Sequence, residues 1–272
     1  MNRTDLALES ISGVQERRGI EQYRRGKYFQ ITEIRIKDRE TGEAFGKPEG
    51  RYITLQGESL SGFSEHYPEM AEELAQELRN LIPEEGLVFI AGLGNQHITP
   101  DALGVQVTEK IIATRHLQKE LAQEEEEFLK NLRPVCALAG GVLGQTGIES
   151  AELIQAVAEK VQPAVVIAVD ALACTAPERL GRTIQLADTG ISPGSGVSNH
   201  RTALNQETLG IPVIGVGVPT VINTRYIAEN APDMTVAPRD IDRLITQAAH
   251  LLGCGINMAV HPEMTYADIA NF

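Results

Sequence analysis

The sequence predicts an α/β protein: a doubly wound, mostly parallel sheet flanked by helices, with a small antiparallel sub-sheet near the N-terminus. Three observations carry this. Continuous apolar runs, such as Leu87-Val88-Phe89-Ile90 and Ala164-Val165-Val166-Ile167-Ala168-Val169, suit strands buried on both faces of a parallel sheet. Glycines bound the apolar runs and amphipathic stretches separate them, which is the alternation of βαβ units. Ahead of them, Phe29-Gln30-Ile31-Thr32-Glu33-Ile34-Arg35-Ile36 alternates as a strand with one wet face does.

In chain order, residues 1–27 are polar and dense in charge, with Arg17-Arg18 and Arg24-Arg25, and predict a short helix with loose flanks. After the 29–36 strand, Gly42, Gly46, Pro48 and Gly50 break the chain before a second strand, Tyr52-Ile53-Thr54-Leu55. These elements would form an antiparallel edge or small sub-sheet. Met70, Leu74, Leu78 and Leu81 make a helical stripe over 68–81. A buried strand at 87–91 leads to a helix running from Asp101 through Val105, Val107, Ile111 and Ile112. Glu124 to Glu127 read as a solvated helix face. Further strands are expected near 135–139, 164–169, 183–187 and 212–218, and helices at 149–161, 201–209 and 238–252. The whole, 1–272, reads as one domain, an N-terminal segment 1–67 and a core 68–272.

Composition narrows the function. Lys and Arg total 24 against 37 Asp and Glu, a net charge of −13 that argues against direct nucleic-acid binding. The same acidity serves solubility or a cationic partner. Cys136, Cys174 and Cys254 are far apart with no C-x-x-C pair, so a reducing compartment and no structural zinc are expected. The N-terminus lacks a signal-peptide core, and no stretch has the apolar length of a membrane span. A cytoplasmic protein without membrane contact follows.

Two aspartates stand out. Asp170 directly follows six apolar residues, where an unpartnered charge is costly. Asp101 follows the turn Gly92-Leu93-Gly94-Asn95 and the segment His97-Ile98-Thr99-Pro100; by residue type alone it reads as a helix cap. Adjacent parallel strands deliver their C-terminal ends to one crevice, where two aspartates can share a proton and activate water. The glycine turn lacks the third glycine of a dinucleotide fingerprint, His97 standing in its place. Asp188-Thr189-Gly190 spells the pepsin-like tripeptide, but those enzymes are all-β. It opens a glycine-rich loop through Gly194, Ser195 and Asn199 to Arg201 that can line a cleft or bind an anion. Ser195 does not fit the nucleophile elbow, and no histidine pair has metal-ligand spacing.

Several separated segments resemble a known family, the germination protease of spore-forming bacteria. They are Arg3-Thr4-Asp5-Leu6-Ala7, Gly50-Arg51-Tyr52-Ile53-Thr54-Leu55, Gly92-Leu93-Gly94-Asn95 with Thr99-Pro100-Asp101-Ala102-Leu103-Gly104, and Thr114-Arg115-His116-Leu117. Downstream come Thr146-Gly147-Ile148-Glu149, Val169-Asp170-Ala171-Leu172-Ala173, the 188–201 loop, and Gly210-Ile211-Pro212-Val213-Ile214 with Gly217-Val218-Pro219-Thr220-Val221.

The resemblance implies an endopeptidase of the spore core that degrades small acid-soluble spore proteins at germination. Its fold would be similar to that of hydrogenase maturation proteases, and Asp101 and Asp170 would be its atypical aspartic pair, needing no metal or cofactor. Asn95, Glu149, Asp188, Gly194 and Asn199 would shape or position the substrate groove. It also implies a homotetramer made as a zymogen with a short propeptide. Here only Met1 and Asn2 precede Arg3, and about 50 residues follow Ile222, fewer than in familiar members. Zymogen control, substrate choice and oligomer contacts are therefore expected to differ. Two rival readings are a metal-assisted maturation peptidase of similar fold and a non-catalytic spore-protein-binding module.

Overall fold

The structure, a computed structural model, describes residues 4–11, 19–117, 132–194 and 201–270. Arg17-Arg18, the Glu124 to Glu127 run, Ser195 and Asn199 lie outside the described residues.

The N-terminal part holds α1 (Ala7–Ile11), β1 (Ile20–Arg25), β2 (Gln30–Ile36), α2 (Arg39–Phe45) and β3 (Gly50–Gln56). The expected strand at 29–36 is present. β1 and α2 are additions to the predicted set. β1 has no apolar face of its own; it pairs antiparallel with β2, and its last residue, Arg25, reaches Glu33 at 2.9 Å and Glu77 at 2.7 Å. Long-range ion pairing of this kind leaves no local periodicity to read.

α3 (Tyr67–Arg79), β4 (Val88–Gly92) and β5 (Val135–Ala139) follow closely where the apolar stripes predict them. Between β4 and β5, a 3-10 turn (Thr99–Asp101) and α4 (Leu103–Thr108) replace the longer helix expected from Asp101 to Ile112. Beyond β5 come α5 (Leu143–Thr146), α6 (Ser150–Val161), β6 (Val165–Cys174), β7 (Thr183–Ala187), α7 (Gln206–Leu209), β8 (Val213–Asn223), β9 (Thr235–Val236), α8 (Ile241–Val260) and α9 (Tyr266–Ile269). The helix expected over 201–209 is mostly extended chain, because Leu204 makes a β-bridge to Ile191 and only the last turn coils. α8 continues well past 252, its last residues being buried.

One sheet runs β1-β2-β3-β7-β8-β6-β4-β5, with β9 on β8. Its half from β8 through β6 and β4 to β5 is parallel. β7 lies antiparallel between β3 and β8, so the N-terminal antiparallel strands extend the main sheet rather than standing apart from it. Helices cover both faces, as the apolar runs require. Val165, Ile167 and Val169 pack with α3, α4 and α8, while Val166 and Ala168 pack with Ile154 and Ala158 of α6.

Candidate active site

β6 runs four residues beyond Asp170, so this aspartate lies within the strand rather than at its end. Residues 171–174 stay extended because they pair with β8, and Asp5 adds a backbone bond from its N–H to the Ala173 carbonyl at 3.0 Å. β4 stops earlier. Its last paired residue is Gly92, opposite Val169, which leaves Asp170 as the first residue of β6 beyond its neighbour's end. On the other side Asp170 stands opposite Gly217 of β8, which offers no side chain. Asp170 is only 5% exposed, and its Oδ1 accepts from the Ala171 N–H at 2.9 Å. Burial pushes its pKa well above the ordinary carboxylate range, and the charge of Asp101 pushes it the same way.

Asp101 folds back against the turn that ends β4. Leu93 N–H donates to the Val169 carbonyl at 2.8 Å, and the chain turns at Gly94, whose φ is +103°. A Cβ at Gly94 would stand 1.9 Å from the Asp101 carbonyl oxygen, so glycine alone permits this closure. The Asn95 N–H donates to both the Asp101 carbonyl at 3.0 Å and its Oδ2 at 2.9 Å. The carboxylate therefore does not cap α4, whose cap position is Ala102. The local preference of Asp for a helix start loses to a partner six residues back. Burial raises the Asp101 pKa, opposed by the Asn95 amide and by Arg201.

The remaining predicted residues separate into two groups. Asn95 belongs to the Asp101 turn; its Oδ1 accepts from His97 N–H and from Gln145 Nε2, each at 2.9 Å. Glu149 starts α6 and accepts from the Thr202 hydroxyl at 2.6 Å, tying the 140s turn to the segment after the glycine loop. Asp188 is engaged elsewhere, its Oδ1 accepting from the Arg51 N–H of β3 at 2.7 Å. Gly194 has a left-handed φ of +71° in the loop ahead of the undescribed stretch that contains Asn199. Two residues carried no separate expectation. Arg201 is a cation whose field reaches both aspartates. Thr220 donates from its hydroxyl to the Pro100 carbonyl at 2.7 Å.

Beside Gly217, a cavity of about 280 Å³ is lined by Asp5, Lys47, Leu172, Gln185, Asn205 and Gly217 among others. A larger one, about 600 Å³, lies at the opposite ends of β4 and β5, around Gly86, Arg133 and Pro134. The described residues hold no group of three or more His, Cys, Asp or Glu placed to bind a metal ion. No described helix is long and apolar enough to cross a membrane.

The sequence profile described as germination protease matches residues 4–234, a span that includes both aspartates. The chain belongs to the germination protease family. The germination protease of Clostridium tetani is 36% identical, covering 99% of this chain and 98% of that one. The germination protease of Caldanaerobacter subterraneus subsp. tengcongensis is 37% identical over 98% and 96% respectively. That of Bacillus velezensis is 43% identical over 85% of this chain and 66% of its own. A solved [NiFe] hydrogenase maturation protease, HycI from Thermococcus kodakarensis KOD1, aligns with 65% of this chain and 96% of its own at 20% identity. Its TM-score of 0.35 is too low to carry weight. Membership makes this chain a peptidase, a hydrolase of peptide bonds acting on protein.

Proposed function

We propose that this family member is an aspartic-type endopeptidase that hydrolyses small acid-soluble spore proteins, using water activated between Asp101 and Asp170. The observation that carries the reading is the placement of a buried Asp170 within the electrostatic reach of Asp101 at the end of β4. Two such carboxyls cannot both ionise cheaply, so the pair keeps one proton into the pH range where a free carboxyl has lost it. The pair titrates as a unit, and Asp170, the more deeply buried member, is the favoured holder of the shared proton.

In this mechanism the Asp101 carboxylate takes a proton from water as the water oxygen attacks the scissile carbonyl carbon. Protonated Asp170 donates a hydrogen bond to the carbonyl oxygen. When the C–N bond breaks, the amine nitrogen leaves with the proton that Asp101 collected. Arg201 adds a positive field over the developing oxyanion. The groove is assigned to Asn95, Glu149, Gly194 and Asn199, with the Gly217 cavity beside it, while Asp188 acts as a positioning residue that ties the start of its loop to β3 through the Arg51 N–H. The enzyme acts in the spore core, as a homotetramer, without metal or cofactor, and on protein rather than nucleic acid.

Purified wild type, Asp101→Asn and Asp170→Asn are each incubated with a small acid-soluble spore protein, and fragments are read by mass spectrometry. Defined internal cuts by wild type alone are expected, with all three proteins folded and melting cooperatively. Full activity in either variant would sink the assignment. Cleavage lost to a chelator and restored by metal would favour the metal-assisted reading, and intact substrate with wild type would favour a binding module.

A further inference from the structure

β8 passes β6 with one residue to spare. Leu172 pairs with Pro219 and Ala173 with Val221, so Thr220 is the extra residue of a β-bulge. A bulge interrupts the pleat and re-aims the side chain of its extra residue, and bulges are over-represented beside active sites. Pro219, just before it, has no N–H to give the ladder, and its carbonyl accepts from Gly181 N–H at 2.8 Å. Thr220 itself is 1% exposed, and its hydroxyl reaches the carbonyl of Pro100, the residue before Asp101, at 2.7 Å.

The other main-chain bonds around Asp101 close its turn on itself: Asp101 N–H to the Ile98 carbonyl at 2.8 Å, and Asn95 N–H to the Asp101 carbonyl at 3.0 Å. The Thr220 bond differs because it leads out of the turn to β8. That strand also holds Gly217, the residue opposite Asp170. One strand therefore touches both halves of the pair, flanking Asp170 directly and gripping Asp101 through Pro100.

We propose that Thr220 is a positioning residue that fixes the separation of Asp101 from Asp170 through its hydrogen bond to the Pro100 carbonyl. The inference rests on the catalytic assignment above and adds to it a residue that touches neither substrate nor the reacting atoms. Holding reacting groups to within a fraction of an ångström matters, since a misplacement of about 1 Å can cost about a hundredfold in rate.

Thr220→Val keeps the shape and removes the donor; Thr220→Ser keeps the donor and removes a methyl. Cleavage of a small acid-soluble spore protein is followed at steady state across pH, with thermal melts alongside. Thr220→Val should lower kcat by about tenfold or more with KM within about twofold. Its kcat–pH bell should narrow from both sides, because a looser pair splits its two titrations less. Thr220→Ser should restore rate and profile. Should the valine variant fail to fold, Thr220→Ala carries the same readings. Wild-type kcat and pH profile in the donor-less variant would overturn the inference, as would equal loss in the serine variant. Asp101→Asn and Asp170→Asn run beside them: if these cleave normally, the assignment of the pair itself has failed. If they are dead while the donor-less variant is normal, only the role of Thr220 has.

Discussion

Gly104 lies so close to the Val169 carbonyl that a Cβ built on it would stand 2.3 Å from that oxygen, and 2.5 Å from both the N and the O of Leu93. All three neighbours are backbone atoms, and none can rotate away. This contact presses the start of α4 against β6 one residue before Asp170 and three after Asp101. Gly104→Ala is therefore expected to destabilise by about 1–3 kcal/mol, as overpacking does. It should also depress cleavage by more than the loss of folded protein explains. Urea titration beside an activity assay at full folding separates the two. An alanine variant with unchanged midpoint and rate would show that the two segments are not held as described.

A second prediction concerns pH and stability. Asp170 has a folded pKa well above its ordinary value, from burial first and the Asp101 charge second, with Arg201 opposing. Below about pH 3.5 the carboxyl is protonated whether the chain is folded or not, and contributes nothing to the pH dependence. As pH rises, the unfolded chain releases that proton first, so the folded state loses stability relative to it until the folded pKa is passed. Asp170→Asn removes this penalty. The variant should match wild type near pH 3.5 and exceed it increasingly towards neutrality, read as urea midpoints across pH. A gap that is constant with pH would mean Asp170 is ionised in the fold like an ordinary carboxylate.

The alternation of buried strand and helix was legible because each parallel strand needs apolar residues on both faces, and Val165 to Val169 supply them. Asp170 was legible for the same reason, as a charge at the end of such a run. What stayed hidden depends on partners distant in sequence. Arg25 holds β1 through Glu77, 52 positions away. The continuation of β6 to Cys174 depends on β8 and on Asp5, 168 positions away. Asp101 reads locally as a cap, and only folding the glycine turn back shows that its carboxylate is taken by Asn95. Thr220 stood in the sequence only as part of the Gly217-to-Val221 segment, with nothing to mark its role, since a bulge is a property of pairing between two strands and not of either alone.

The N-terminal segment supplies a third prediction. Glu9 is an acid in a stretch dense with charge, yet it is 5% exposed and accepts from Thr175 N–H and Oγ1, each at 2.7 Å, and from Ala176 N–H at 3.0 Å. These donors follow β6 directly. Glu9→Ala leaves them without their acceptor and should cost about 3 kcal/mol, since bonds to a charged group and unsatisfied buried donors both count. Glu40→Ala on the exposed side of α2 should stay within about 0.5 kcal/mol. Denaturant titration of both variants checks the contrast, and equal midpoints would place Glu9 in solvent.

The last prediction separates binding from chemistry within the Asn95 network. Asn95 uses its backbone N–H to hold Asp101 and its side chain to hold Gln145 of α5 and the His97 amide. α5 carries the exposed apolar side chain of Leu143, and Ile148 follows two residues after it, so this turn offers apolar surface to a peptide chain. Gln145→Ala frees α5 but leaves the Asn95 backbone and the His97 bond in place. KM for a spore-protein substrate should rise about threefold to tenfold, the worth of about one hydrogen bond, while kcat stays near wild type. Asn95→Ala loses the His97 bond as well, which loosens the turn that grips Asp101, so kcat should fall in addition. Steady-state kinetics on the two variants tests the division. If Gln145→Ala lowers kcat as far as Asn95→Ala does, α5 and the Asp101 turn act as one rigid unit and the division fails.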